Sequence, residues 1–184
     1  MDAKRGDIAS TNLAYRDALF GYLGADVVTA QPYLGVDALR PFLDMRTKGV
    51  IVLCRISNPG SGELQDLRTD GEALYQRVAR LAGYDWNEHG NCAVLVGGTY
   101  PRQLGEVRRI AVHPAHPCRR NRTSGRTRRR GRPSRSAQGR GLIISSSRAV
   151  TDAVPGPGFA RAARAAAQAL IDQIYDAVTT LGPR

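Results

Sequence analysis

The densest group of chemically capable side chains is Asp2-Ala3-Lys4-Arg5-Gly6-Asp7-Ile8-Ala9-Ser10-Thr11. If Asp2 and Lys4 end a strand, the two-residue period puts both side chains on one face. A lysine flanked by carboxylates can serve as a proton donor while the acids place negative charge beside it. Gly6 permits a sharp turn that returns Asp7 to the same spot. The same spacing also fits an exposed, salt-bridged run without chemistry. Further along, Ser57-Asn58-Pro59-Gly60 is strong turn chemistry whatever it binds, and Gly97-Gly98-Thr99-Tyr100-Pro101 reads as a strand-to-helix turn. Arg148, taken alone, also fits a plain surface arginine. His113-x-x-His116-x-Cys118 has the residue types of a metal site, but it lacks a fourth ligand and an ordered setting, so no metal is expected.

These residues need elements to hold them, and the hydropathy pattern supplies strands alternating with helices. A helix is predicted over residues 12–23, with Leu13, Ala14, Phe20 and Leu23 available for its inner face. A short strand follows at Asp26–Ala30, a helix at Val36–Met45, and a continuous apolar strand at Gly49–Arg55 of the kind buried on both faces in a parallel sheet. Residues 70–83 carry Leu74, Tyr75, Val78, Ala79 and Ala82 at helical spacing. Strands are predicted at Cys92–Gly97 and Leu142–Ser146, with a helix over Arg102–Ala111 between them. A final helix from Phe159 places Leu170, Ile171, Ile174, Tyr175, Val178 and Leu181 on one face, and Gly182-Pro183 stops it. Repeated strand–helix units imply an α/β fold with a parallel sheet.

The net charge of +11 over 184 residues suggests a nucleic-acid binder until its location is considered. Residues 112–141 hold ten arginines and no acid, so the remainder of the chain is close to neutral. The same stretch contains no Ile, Leu or Phe and cannot form a packed element. The longest apolar runs, such as Val50–Cys54, are strand-sized and too short to cross a bilayer, so no membrane association is expected. Three irregularly spaced cysteines make no disulfide framework. They fit a reducing compartment, and with no secretory leader visible a cytoplasmic location is expected.

The first segment resembles the Asp-x-Lys-Arg-Gly-Asp-Ile-x-x-Thr signature of orotidine 5'-phosphate decarboxylases, in the bacterial subgroup with the Lys-Arg-Gly-Asp form. The resemblance extends, in order, through Ala30-Gln31-Pro32-Tyr33-Leu34-Gly35, Leu53-Cys54-Arg55-Ile56-Ser57-Asn58-Pro59-Gly60-Ser61, Gly97–Pro101 and Ile143-Ile144-Ser145-Ser146-Ser147-Arg148-Ala149. It covers residues 1–111 and 137–184. It implies a (β/α)8 TIM barrel with its site at the C-terminal ends of the strands, a homodimer, and no metal or organic cofactor. By that resemblance Asp2 crowds the substrate carboxylate, Lys4 protonates the carbon left when CO2 departs, and Asp7 and Thr11 reach into the partner subunit's site. Ser57 hydrogen-bonds the pyrimidine and Arg148 holds the phosphate of orotidine 5'-phosphate through its planar fork.

The chain departs from that pattern in two places. The first two strands and most of the third would lie upstream of Met1, so an incomplete barrel is expected, one domain over residues 1–184 with little or no turnover. The seventh strand and its glycine-rich phosphate loop should fall near residues 118–128, where the arginine-rich stretch stands instead. His113–Cys118 and Asn121–Arg126 have encodings that, read one base later, give Ile-Pro-Leu-Ile-Leu-Val and Ile-Gly-Arg-Gln-Gly, which suit the missing strand and loop. A frame error over about residues 112–136 would therefore account for the arginine run. Two other functions fit less of the sequence: another sugar-phosphate enzyme of the same barrel superfamily, and non-specific nucleic-acid binding through residues 112–141.

Overall fold

A computed structural model describes residues 1–112 and 141–180, and the chain divides into two compact units, Met1–Arg126 and Thr127–Arg184. The first unit opens with the segment Met1–Arg5, which turns at Lys4 (φ +46°), and helix α1 (Ala9–Arg16). The helix continues through a wider turn over Asp17–Tyr22, in which the Leu23 amide reaches back five residues to the Ala18 carbonyl (2.8 Å). Strand β1 (Val27–Ala30), helix α2 (Val36–Leu43) and strand β2 (Gly49–Arg55) follow. Next come the short helix α3 (Gly62–Gln65), strands β3 (Arg68–Thr69) and β4 (Glu72–Ala73), and helix α4 (Leu74–Arg80). Strand β5 (Cys92–Val96) and helix α5 (Pro101–Val112) complete the described part of this unit.

Strands β1, β2 and β5 form a parallel sheet in that spatial order, with Val28 opposite Val50 and Val50 opposite Cys92. Met1–Arg5 runs parallel along the free side of β1. Arg5 pairs with Ala30, the Thr29 amide donates to the Met1 carbonyl (3.1 Å), and the Gln31 amide donates to the Arg5 carbonyl (2.8 Å). Every connection between sheet neighbours carries a helix, as parallel pairing requires. Among the described residues the strands do not close on themselves, so the architecture is an α/β sheet that forms part of a barrel.

The core lies on the helix side of this sheet. Val28, Val50, Val52 and Cys54 are buried beneath Leu39, Phe42 and Leu43 of α2 and Tyr75, Val78 and Ala79 of α4. Burying each large aliphatic side chain stabilises the fold by roughly 1.5–3 kcal/mol. Phe20 meets Phe42 edge to face at 6.4 Å, and the Cys54 thiol donates to the Tyr75 carbonyl (3.1 Å). Asn91 fastens the connection after α2, its amide nitrogen lying 3.0, 3.2 and 3.0 Å from the carbonyls of Leu43, Met45 and Lys48.

Several boundaries differ from the sequence reading for local reasons. The first helix begins at Ala9, and its buried residues are Asn12, Leu19 and Phe20, while Leu13 and Leu23 are exposed. The wide turn at Asp17–Tyr22 rotates the inner face away from regular helical spacing. The helix expected over residues 70–83 begins only at Leu74, because Asp70 (φ +54°) and Gly71 (φ +80°) form a two-residue turn that pairs β3 with β4. Strand β2 is wholly buried on one face only, with Ile51 and Leu53 half-buried on the other.

In the second unit the described residues hold a four-residue helix, α6 (Arg148–Thr151), and the long α7 (Phe159–Thr180). The strand expected at Leu142–Ser146 is absent. These residues make no ladder among those described, and Ile143 is 83% exposed. A strand needs a neighbour to take its main-chain hydrogen bonds, and apolar composition alone does not supply one. Leu170 and Ile174 are half-buried, but Ile171 and Tyr175 of the same predicted stripe are exposed. Leu181 and the phosphate-loop region near 118–128 lie outside the described residues. No described helix is long and apolar enough to cross a membrane.

Candidate active site

Within a parallel strand, side chains alternate between faces, and strand partners in register share a face. Thr29 is paired with Ile51 and Ile51 with Ala93, so these residues form a row on the side of the sheet opposite the helices. The Met1–Arg5 segment delivers Asp2 and Lys4 to this face at its C-terminal end. Lys4 Nζ is hydrogen-bonded to Asp2 Oδ2. Asp2 Oδ1 accepts from the Thr29 hydroxyl (2.7 Å), and the same hydroxyl oxygen accepts the main-chain N–H of Lys4 (2.9 Å). Lys4 has φ +46°, a conformation rarely adopted by a lysine.

The pair remains open to solvent, with Lys4 and Asp2 side chains 51% and 63% exposed. The Lys4 ammonium, and after it the Thr29 hydroxyl, hold the Asp2 carboxyl below the usual carboxylate range. An ammonium and a carboxylate fixed side by side at a strand end provide a proton donor and a negative charge at one point.

Gly6 turns the chain beneath Gln31, whose amide nitrogen donates to the Gly6 carbonyl (3.1 Å). A Cβ on Gly6 would lie 2.4 Å from Gln31 Cγ, so any side chain here would force Gln31 to move. Asp7 is half-buried just before α1, and its carboxylate accepts the Ile8 amide (2.7 Å). Thr11 is half-buried in the first turns of α1. The fully buried Asn12 fixes this corner. Its side chain accepts the Asp7 amide (3.2 Å) and donates to the Asp7 carbonyl (2.8 Å) and to Ala38 of α2 (2.6 Å). The structure places no hydrogen bond or ion pair between Asp7 and Lys4.

Ser57 sits two residues beyond β2 at the same end of the sheet, with its side chain exposed. Gly97 packs directly against it, and a Cβ there would fall 2.8 Å from Ser57 Cβ and 3.0 Å from Ser57 N. Arg55 supports the turn from below. Its guanidinium grips Asp66 with two bonds (2.8 and 2.9 Å) and donates to the Ile56 carbonyl (2.9 Å) and to Ser61 Oγ. It also stacks 4.0 Å from the Tyr100 ring. Ser61 Oγ donates to the Ile56 carbonyl (3.0 Å), and Gln65 accepts the Ile56 amide (2.9 Å). Arg148 belongs to the second unit, where it is the exposed first residue of α6.

Thr29, Asn12 and Arg55 were not singled out as site residues from sequence. Thr29 shares the period-two face of a strand, and Arg55 is a charge at the end of an apolar strand, so both carried a readable signal. Asn12 carried only a polar residue on an inner helical face. Among the described residues no group of three or more His, Cys, Asp or Glu side chains converges as a metal site. His113, His116 and Cys118 lie outside the described residues.

A parallel α/β sheet with helices on one face, and the Asp2–Lys4 pair at the C-terminal ends of the strands on the other, is the arrangement of a partial (β/α) barrel. The sequence profile of the Orotidine 5'-phosphate decarboxylase / HUMPS family matches residues 1–166, and the chain belongs to that family. It is 46% identical over 179 residues to the orotidine 5'-phosphate decarboxylase of Cellvibrio japonicus, covering 95% of this chain and 64% of the relative. It is 45% identical over 175 residues to that of Azoarcus sp., covering 95% of this chain and 65% of the relative. The chain thus spans just under two thirds of the length of these curated relatives. The solved Leishmania donovani OMP decarboxylase is 33% identical and superposes with a TM-score of 0.74, covering 97% of this chain and 68% of that one.

Proposed function

We propose that this chain carries the catalytic pair and the base-binding turn of an orotidine 5'-phosphate decarboxylase. This cytoplasmic lyase would form uridine 5'-phosphate and CO2 in de novo pyrimidine biosynthesis. The observation that carries the reading is the salt-bridged Asp2–Lys4 pair on the open face of the parallel sheet. In this reading the substrate's carboxylate leaves as CO2, the bonding electron pair stays on the ring carbon, and that carbon takes a proton from the Lys4 ammonium. Asp2 crowds the departing carboxylate. An ammonium already fixed where carbanion charge develops lowers the barrier without reorganisation at the moment of reaction.

Ser57, on a turn braced by Arg55 and Gly97, hydrogen-bonds the pyrimidine, and Arg148 holds the phosphate. Asp7 and Thr11 extend into the site of a second copy in a homodimer. The exposure of Ile8, just before α1, and of Leu13 within it supports that contact. Residues 1–184 are taken as one partial barrel, with no cofactor required. Residues 112–136 are taken as a frame-shifted strand and phosphate loop. Resequencing the DNA across codons 105–145 tests that last point, and an unaltered frame overturns it. Nucleic acid would be bound only non-specifically through residues 112–141, with an affinity that falls steeply with salt.

The functional test is titration of the 184-residue chain with orotidine 5'-phosphate, uridine 5'-phosphate and sugar phosphates without a base, alongside a CO2-release assay. Binding of the two pyrimidine nucleotides is expected, weakened in Ser57→Ala, with little or no CO2 release and none in Lys4→Ala. Equal binding of the base-free sugar phosphates would point to another enzyme of the superfamily. CO2 release that survives Lys4→Ala would overturn the role of Lys4.

A further inference from the structure

We propose that Thr29 is the positioning residue of the Asp2–Lys4 pair. Calling the pair catalytic rests on the decarboxylase reading, but the positioning itself stands on geometry alone. Thr29 is 6% exposed in the middle of the sheet row that faces the site. All of its hydrogen-bonding groups are turned toward Met1–Arg5. Its amide donates to the Met1 carbonyl (3.1 Å), and its carbonyl accepts the Arg5 amide (3.2 Å). Its hydroxyl donates to Asp2 Oδ1 (2.7 Å) while accepting the Lys4 N–H (2.9 Å).

The main-chain bonds would form with any residue at this position. The two hydroxyl bonds require Thr or Ser, and they act on both members of the pair at once. One aims the Asp2 carboxylate, leaving its second oxygen for Lys4 Nζ. The other pins the amide of Lys4, a residue held at φ +46°. A hydroxyl is the group suited to this task, since it donates one hydrogen bond while accepting another. Valine has the same shape and neither capacity. The charged groups acting on Asp2 are the Lys4 ammonium and the Met1 α-amino group, and neither is altered by substitution at Thr29.

The test compares Thr29→Val and Thr29→Ser in the full chain by NMR. Two quantities are followed: the titration of the Asp2 carboxyl carbon and the exchange rate of the Lys4 amide. In Thr29→Val the Asp2 carboxyl is expected to titrate closer to the ordinary carboxylate range. The Lys4 amide is expected to exchange about tenfold faster, the effect of one lost hydrogen bond. Thr29→Ser is expected to restore both. Slowed exchange at Val50 and Val52 reports that the sheet is intact. If Thr29→Val disturbs those amides, Thr29→Ala replaces it in the same comparison with Thr29→Ser. Wild-type values for Asp2 and Lys4 in the hydroxyl-free variant overturn the proposal, as does a Ser variant that behaves like Val. Neither readout uses substrate, so a chain that binds no nucleotide refutes the decarboxylase reading without affecting this result.

Discussion

Arg55 is 3% exposed, yet the hydrogen bonds of its side chain all go to the loop that follows β2 rather than to the core. Replacing it by methionine keeps much of the stem and removes the fork, leaving Ser61 Oγ and Asp66 without their donor and the Ile56 carbonyl with Ser61 alone. Asp66 is 45% exposed and can rehydrate, so the cost is expected to fall below that of a fully buried ion pair, at about 2 kcal/mol. Arg55→Lys should recover only part of this, because an ammonium cannot make the two-pronged bond to Asp66 or stack as a plane on Tyr100. Urea denaturation of the two variants measures both effects, and equal stability of Lys and wild type would contradict the assignment. At this scale the sequence was most readable where chemistry is local. Asp2 and Lys4 are two residues apart, and the positive φ of Lys4 and the Thr29 hydroxyl bring their side chains together. Thr29 and Asn12 act across long sequence separations, and no spacing rule reveals which residue will lie opposite another.

Elements are positioned here by places where a side chain would not fit. Gly83 lies against α5, and an added Cβ would fall 2.9 Å from both the Cα and the carbonyl oxygen of Ala111. Both opposing atoms are main chain, so Gly83→Ala is expected to push α5 away and destabilise the first unit by roughly 1–3 kcal/mol. Gly6→Ala meets only the Gln31 side chain, which can rotate aside, and its cost is expected to be about 1 kcal/mol. Thermal unfolding of the pair separates the two cases, and a larger loss for Gly6→Ala would contradict this account. Element types were mostly readable from periodicity, as with Val78, Ala79 and Ala82 on the inner face of α4 and its continuation. Their boundaries were not. The turn at Asp70-Gly71 is a strong hairpin signal that the helical stripe after it obscured. The wide turns over Asp17–Tyr22 and Leu81–Asp85 follow no regular period that could be read in advance.

At the scale of the whole chain, a few titratable groups set the pH limits of stability. Asp2 is held below its ordinary value of 3.8 by Lys4 and Thr29, and Glu106 below 4.5 by Tyr75, with Gln76 and Arg102 adding to it. A lowered carboxylate contributes stability above its unfolded value and loses it as pH falls through the folded one. On the alkaline side, burial pushes Cys54 from 9.0 up to about 12. Burial and the Glu106 carboxylate push Tyr75 from 10.0 up to about 12. Raised acids contribute fully below their unfolded values and lose that contribution as pH rises toward the folded ones. Stability is therefore expected to be flat between about pH 5 and 8.5, falling below about 4 and again above about 9. Denaturation midpoints measured across pH check this, and a maximum outside that window would refute it. The α/β class and the parallel order were readable in the alternating pattern. The missing strand at Leu142–Ser146 was not, because apolar composition does not say whether a neighbour is present.

The pairing of Met1–Arg5, β1, β2 and β5 also has a consequence in time. None of these sheet partners is joined by a tight turn, so no pair can zip up from a nucleating hairpin. Each contact must wait for a helix-bearing crossover to close, and the entropy of that closure precedes any reward from the new bonds. The only hairpin among the described residues, β3–β4, is two residues long on each side and lies outside the sheet. Assembly is thus governed by long-range search, and the Asp2–Lys4 pair acquires its geometry only when β1 has docked beside it.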